Sequence, residues 1–294
     1  MLNLLIVGFG SVGKKFIETY PNQFRVTAVS RSCHSGLIVP AKKFKQHSLD
    51  LDDPQSLVRL AAVAENVVYL APPKPEGTED TRLRSFLRLI SKRVRIPQRI
   101  VYVSTTGVYG DQKGARVDET HPVSPLTERG KRRADAEEQI RLWAKRFRKR
   151  VVLLRVPGIY AKDRLPLSRL KQGLPSISKD DDSYSNHIHE DDLARIIFKA
   201  LFSGRSRRIY NANDNTEMKM GDYFDLVADR CGLARPERLS RGEVGERVST
   251  GVLSFMSESR KVDNSRMLRE LKIRLSYPTV VEGVPFLVEQ GEKP

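Results

Sequence analysis

"LLIVGFGSVGKKFIETY", residues 4–20, decides how the rest of the chain is read. Apolar residues run into Gly8, Gly10 and Gly13 at G-x-G-x-x-G spacing, and an amphipathic stretch follows at once. A strand ending in such a turn, with a helix beginning from it, makes the phosphate cradle of a dinucleotide-binding fold. Gly8 would make the tight turn, Gly10 would admit a pyrophosphate to the backbone, and Gly13 would let helix and sheet pack closely. Ser11 and Val12 complete the first turn, where free N–H groups face the phosphate. A glycine-rich turn without a ligand has the same spacing; the strand before it and the helix after it are what favour the cradle.

Further along, runs rich in Val, Ile and Leu at 2–7, 25–30, 67–71, 99–104, 151–156 and 208–211 alternate with helical patterns near 11–19, 54–63, 80–94, 130–147 and 192–203. This alternation predicts an α/β fold: a Rossmann-type doubly wound parallel sheet with a smaller C-terminal substrate lobe. Residues 1–157, completed by about 187–212, form the dinucleotide-binding domain in this reading, and 158–186 with 213–294 form the lobe. No internal repeat or low-complexity segment interrupts it.

The bulk numbers agree with a folded catalytic or binding protein. With 294 residues, 39% hydrophobic and 30% charged, the chain can bury a core and is not compositionally disordered. No apolar run reaches the roughly 18 residues of a membrane span. The apolar N-terminus lacks a basic leader and reads as a first strand. Cys33 and Cys231 form neither a CxxC nor a disulfide framework, so a reducing, cytoplasmic setting is expected. The net charge of +16 would attract polyanions, but the basic residues are spread over many segments without an RNP, KH or zinc-finger pattern. A solvated basic surface is expected rather than specific nucleic-acid binding; a steep salt dependence would mark the latter.

The second strand selects the nucleotide. It ends in Ser30-Arg31-Ser32, without the carboxylate that usually receives the ribose 2′-hydroxyl of NAD. An arginine flanked by hydroxyls suits a 2′-phosphate, so NADP is expected over NAD. Arg31 is also one of 52 basic residues, and a plain surface role stays open.

"RIVYVSTTGVYG", residues 99–110, runs from a strand into Ser104-Thr105-Thr106 and Val108-Tyr109-Gly110. With the early glycines it resembles the extended short-chain dehydrogenase/reductases, the group containing sugar-nucleotide epimerases and dehydratases. "VVYLAPP" (67–73), with Ala71 and Pro72, is similar to the strand and turn beneath the cofactor; "LLRVPGIYAKDR" (153–164), with Pro157, is similar to the strand leading into the substrate lobe. "NHIHEDDLARIIFKAL" (186–201) resembles the family's His-x-x-Asp segment, with His189 and Asp192 in those places. Segments 209–228 and 259–271 resemble the C-terminal portion, so the likeness covers nearly the whole chain. His187 and His189 lack a third ligand at diagnostic spacing and read as structural, with no metal expected and Asp191 or Asp192 as a helix N-cap.

The resemblance implies that Thr105 orients the substrate and that a Tyr-x-x-x-Lys pair performs the acid/base step. The tyrosine is missing here. With Gly130 aligned to the family's glycine, Arg129 stands in the tyrosine's place and Arg133 in the lysine's; the frame Thr127-x-x-x-Lys131 restores the lysine but no phenol. The chain thus resembles the atypical members of the group. A guanidinium, protonated to about pH 12 or above, is a poor general base, yet it can stabilise an oxyanion or clamp a carboxylate or phosphate. Arg129 and Arg133 are also what an exposed helix face would carry.

Two functions follow. One is an NADP-dependent oxidoreductase, or a sugar-nucleotide epimerase/dehydratase-like enzyme, with unconventional proton transfer and a small anionic or carbonyl-containing substrate. The other is a non-catalytic NAD(P)-binding sensor of redox state or nucleotide level. For assembly, apolar stripes at Leu83, Phe86, Leu87, Ile90 and Val94 and at Ala136, Ile140, Trp143 and Phe147 are needed to cover the sheet. The faces left over are cationic and would repel across a two-fold axis. A monomer, or a dimer that avoids the family's usual helix bundle, is expected.

Overall fold

The computed structural model describes residues 1–32, 43–53, 55–56 and 64–287. Cys33 and most of the helical pattern at 54–63 lie outside the described residues.

Seven strands form one parallel sheet: β1 (Leu2–Val7), β2 (Phe24–Ser30), β3 (Phe44–Ser48), β4 (Asn66–Tyr69), β5 (Arg99–Thr105), β6 (Arg150–Val156) and β7 (Arg208–Asn211). Their order is β7-β6-β5-β4-β1-β2-β3. The chain therefore builds outward from β1 in both directions. Where β1 meets β4, successive connections diverge and leave a crevice at the carboxyl ends of the strands, the place where such sheets take ligands.

Helices cover both faces: α1 (Ser11–Thr19), α2 (Thr81–Ser91), α3 (Glu128–Phe147) and α4 (Glu190–Ser203). The pleat of β1 shows how the sequence divides its core. Leu4 and Ile6 belong to the cluster under α1 and α4, with Phe16, Ile17, Leu193 and Ile197; Leu5 and Val7 belong to the opposite cluster under α2 and α3, with Leu83, Phe86, Ile140 and Trp143. Alternate residues of a strand point to opposite faces, so an unbroken apolar run is what a sheet covered on both sides needs.

A third apolar cluster, including Tyr160, Ile177, Tyr223, Phe224, Val227, Met256 and Val280, lies beyond the carboxyl ends of the strands, with α5 (Met220–Arg230) as its main helix. Two short parallel pairings lie outside the main sheet: His187–His189 with Gly158–Tyr160, and Lys261–Val262 with Arg116–Val117. The chain then returns to the sheet. Met267 and Leu271, from the helix Ser265–Leu271, join the cluster under α1 and α4.

Three expectations need correction. Val94 does not belong to the apolar stripe of α2, because the helix stops at Ser91 and Val94 is fully exposed. The cap of α4 is His189 rather than Asp191 or Asp192: its Nδ1 accepts the Asp191 N–H at 3.2 Å. Asp192 is instead fully buried and accepts the N–H groups of Ser276 and Tyr277, both at 2.9 Å. The third correction is β3, "FKQHS", which the periodicity missed. It is an edge strand of mostly exposed residues, so it carries no apolar run to read. Among the described residues no helix is long and apolar enough to cross a membrane.

Candidate cofactor groove and substrate pocket

Two connected cavities occupy the crevice. A groove of about 750 Å³ is lined by Gly8, Gly10, Ser11, Val12, Gly13, Arg31, Pro72, Thr105, Arg129, Arg133 and Pro157, among others. A pocket of about 380 Å³ opens between the sheet and the third cluster, lined by Tyr184, Ser185, His187, Tyr223, Glu258 and Arg260. Thr105, Arg129, Pro157, Ile159 and Arg164 line both. Arg129 is thus at the junction, whereas Arg133 belongs to the groove alone.

The glycines differ in what they make room for. Gly8 has φ +86, and a Cβ there would sit 2.4 Å from the Ala71 nitrogen, so only glycine fits. At Gly13 a Cβ would meet Phe9 at 2.9 Å and Ile6 at 3.4 Å, the contact by which α1 packs on β1. At Gly10, by contrast, no heavy atom of the described residues beyond its chain neighbours lies within 4 Å of where a Cβ would be. Gly10 is also the N-cap of α1, makes no side-chain cap bond, and no acidic residue follows in the first turn. No acidic side chain of the first turn competes for the first N–H groups of the helix, and Arg164 donates to the Ser11 hydroxyl beside them at 2.7 Å.

The end of β2 is held by its neighbour. Gln46 donates to the Ser30 hydroxyl at 2.9 Å, Ser30 donates to the Ser32 carbonyl at 2.8 Å, and Ser48 donates to the Arg31 carbonyl at 2.8 Å. These bonds fix the backbone on either side of Arg31, while its exposed side chain lines the groove. Sequence periodicity gave no sign that β3 would supply these anchors.

The floor of the groove is built by arginines. Arg82 makes a bidentate pair with Asp52 and donates to the Pro72 carbonyl at 3.0 Å and the Pro73 carbonyl at 3.2 Å. Arg133 Nη1 donates to the Tyr102 hydroxyl at 2.8 Å, the Val103 carbonyl at 3.2 Å and the Ala71 carbonyl at 3.5 Å. Burial pushes the Tyr102 phenol well above its ordinary value, so the group meeting Arg133 is a neutral hydroxyl. Behind the floor, fully buried Arg155 pairs with Glu137 at 2.7 Å, and Ser104 donates to the same carboxylate at 2.6 Å.

Thr105 and Arg129 face the pocket from adjoining elements. Thr105 Oγ accepts the Gly107 N–H at 3.2 Å, capping the turn Thr106–Tyr109 and leaving its O–H for a ligand. That turn packs on the start of α3, where a Cβ at Gly130 would lie 2.8 Å from Pro125 Cβ and 3.0 Å from the Gly107 carbonyl oxygen. Arg129 is half-buried; desolvation lowers its pKa, with the charges of Arg260 and Arg132 adding to this and Glu258 opposing it. His187 is buried, bonded to Ser185 at 2.7 Å and held neutral by desolvation, with its pKa near 3. Among the described residues, no three His, Cys, Asp or Glu side chains assemble as metal ligands would. Glu258, Arg260 and Arg164 line the site but carry no motif, so sequence reasoning passed over them.

Residues 4–212 match the model of the NAD dependent epimerase/dehydratase family. Protein YeeZ of Escherichia coli K12 is 26% identical over 233 residues, 78% of this chain and 76% of that protein. A conserved protein of unknown function from Silicibacter pomeroyi DSS superposes with a TM-score of 0.82 at 26% identity, covering 97% of each chain. The dTDP-glucose 4,6-dehydratase of Bacillus anthracis, solved in complex with NAD, has the same fold: TM-score 0.75 at 18% identity, covering 97% of this chain and 94% of that one.

Proposed function

Since the chain belongs to the NAD-dependent epimerase/dehydratase family, we propose that it is an NADP-dependent oxidoreductase, or a sugar-nucleotide epimerase/dehydratase-like enzyme, with unconventional proton transfer. A nicotinamide dinucleotide, when bound, supplies hydride exchange with a substrate carbon. In this reading residues 1–157 with 187–212 hold the dinucleotide, and 158–186 with 213–294 form the substrate lobe, its later helix packed back on the sheet.

What supports a dinucleotide is the start of α1, free of acidic residues in its first turn, beside open Gly10 and with the Arg164 guanidinium at Ser11. Gly8, Gly10, Ser11, Val12 and Gly13 would take the pyrophosphate, and Ala71, Pro72 and Pro157 would border the rest. Ser30, Arg31 and Ser32 would receive the ribose end, Arg31 favouring a 2′-phosphate. NAD is the dinucleotide in the B. anthracis neighbour, which makes the preference a point for measurement.

The observation that carries the enzyme reading is the joining of groove and pocket through Thr105 and Arg129. Thr105 would donate to a substrate oxygen, and Arg129 would bind an anionic or carbonyl oxygen without acting as a base. Arg133, with three acceptors in the floor, would position the turn under the nicotinamide. The sensor reading draws on the same groove and on the missing tyrosine.

Calorimetric titration of the purified chain with NADPH and NADH, together with native mass spectrometry of what it retains, tests the cofactor half. Binding of neither dinucleotide would end both readings. Tight binding with no turnover of any nucleotide sugar, sugar phosphate or hydroxy acid would favour the sensor.

A further inference from the structure

The pocket contains a carboxylate that the missing tyrosine leaves without an assigned role. Glu258 lies in the segment joining the helix Thr250–Met256 to the Lys261–Val262 strand, and it is only 8% exposed. Its Oε2 accepts from Arg260 Nη1 at 2.9 Å, and Arg260 Nη1 is also bonded to the Gly110 carbonyl at 2.7 Å. Its Oε1 is buried without a hydrogen-bond partner among the described residues. Leaving a buried carboxylate oxygen unpartnered is costly, and a ligand donor would relieve that cost.

Its location is specific. A Cβ at Gly107 would be 3.5 Å from Thr105 Oγ1 and 4.0 Å from Glu258 Oε2. The threonine hydroxyl and Glu258 Oε2, the oxygen that Arg260 holds, therefore both lie beside the position a side chain at residue 107 would take. Arg129 lines the same pocket and interacts electrostatically with Glu258.

We propose that Glu258 is the proton acceptor of this pocket, holding a substrate hydroxyl and taking its proton in the role the family gives to the tyrosine. The proposal rests on the oxidoreductase reading. In the oxidising direction the substrate O–H bond breaks and its proton goes to the Glu258 carboxylate. The carbinol hydrogen leaves with its electron pair for the oxidised nicotinamide of NAD(P)⁺, and a C=O bond forms. Transfer of the proton from Glu258 to water resets the group. Arg129 stabilises the negative charge that grows on the substrate oxygen. Arg260 orients the carboxylate through its bond to Oε2.

The test uses the full chain loaded with NADP⁺ or NAD⁺ and challenged with UDP-glucose, dTDP-glucose, glucose 6-phosphate and D-glycerate. Transient or net cofactor reduction is read by absorbance, and compound binding is read separately by calorimetry. We expect the wild type to reduce its cofactor with at least one compound. E258Q, which preserves the shape and the bond from Arg260, should still bind that compound while turning it over roughly 100-fold more slowly or worse. E258D should recover part of the rate. Unchanged turnover by E258Q overturns the role of Glu258 and leaves the cofactor reading standing. Compound binding lost in step with turnover overturns it too, making Glu258 a binding group alone. A wild type that holds its cofactor but reduces it with none of the four overturns both this role and the enzyme reading.

Discussion

Arg133 donates to the hydroxyl of Tyr102 at 2.8 Å, and that bond separates it from Arg129, its neighbour one helical turn earlier. Arg133 is committed to the phenol and two carbonyls under the groove; Arg129 lines both groove and pocket. Removing each should have opposite signatures. Arg133→Ala strands the buried Tyr102 hydroxyl and should cost about 1–3 kcal/mol of stability. Arg129→Ala should cost less stability than this and weaken an anionic pocket ligand by about 1.5–3 kcal/mol. Urea unfolding and ligand calorimetry on the two variants check this; equal loss of stability in both would refute the division.

Arg31 should set cofactor preference. NADPH should bind more tightly than NADH to the wild type, and Arg31→Asp should weaken NADPH by roughly 10-fold or more, the worth of a charge-assisted bond to the 2′-phosphate. Fluorescence titration of both cofactors decides it. Equal affinities in the wild type would make Arg31 an ordinary surface cation.

Gly8 and Gly10 should part company on substitution. Gly8→Ala puts a methyl group 2.4 Å from the Ala71 nitrogen at a left-handed φ, and should destabilise the fold by about 2 kcal/mol or more. The methyl group of Gly10→Ala meets nothing within 4 Å among the described residues beyond its chain neighbours, so the melting temperature should hardly move while dinucleotide affinity falls. Thermal melts with and without NADPH distinguish the two. Undiminished NADPH binding by Gly10→Ala would show that the space is not where the pyrophosphate goes.

Asp214 gives the fold a pH dependence. Burial pushes its carboxyl up to about 7 from the ordinary 3.8, with Asp192 and Glu282 adding repulsion and Thr216 opposing through its bonds. In the folded chain it holds a proton up to about pH 7, while in the unfolded chain it ionises near 3.8. Folding therefore binds a proton in this window, and the stability Asp214 contributes at low pH is lost as pH rises through about 7. Asp214→Asn keeps an acceptor for the Thr216 N–H without the charge. The variant should gain on the wild type between pH 4 and 8, by on the order of a few kcal/mol at the alkaline end. Parallel melts that track each other across this range would count against the assignment.

Gly8 and Gly13 were legible because a positive φ and close helix–sheet packing leave no room for a side chain at those positions. The alternation of apolar runs was legible for a similar reason: a sheet covered on both faces needs unbroken Val/Ile/Leu segments. β3 lay outside that logic, since an edge strand with little burial has no pattern to show. The His189 cap was hidden because two aspartates beside it are better N-cap residues, and the decisive fact was tertiary: Asp192 is bound to Ser276 and Tyr277 from more than 80 residues away. Glu258 could not be picked from 36 acidic residues by spacing. Only burial beside Thr105 and Arg129 separates it from the rest.

The contact between Gly130 and the Gly107 carbonyl makes the turn that carries Thr105 and the first turn of α3 a single mechanical unit. The backbone thus keeps delivering whatever side chain stands at 129 to the junction of groove and pocket, whether or not it can hold a transferable proton. Chemistry at that point can change by one substitution while its address in the fold stays fixed.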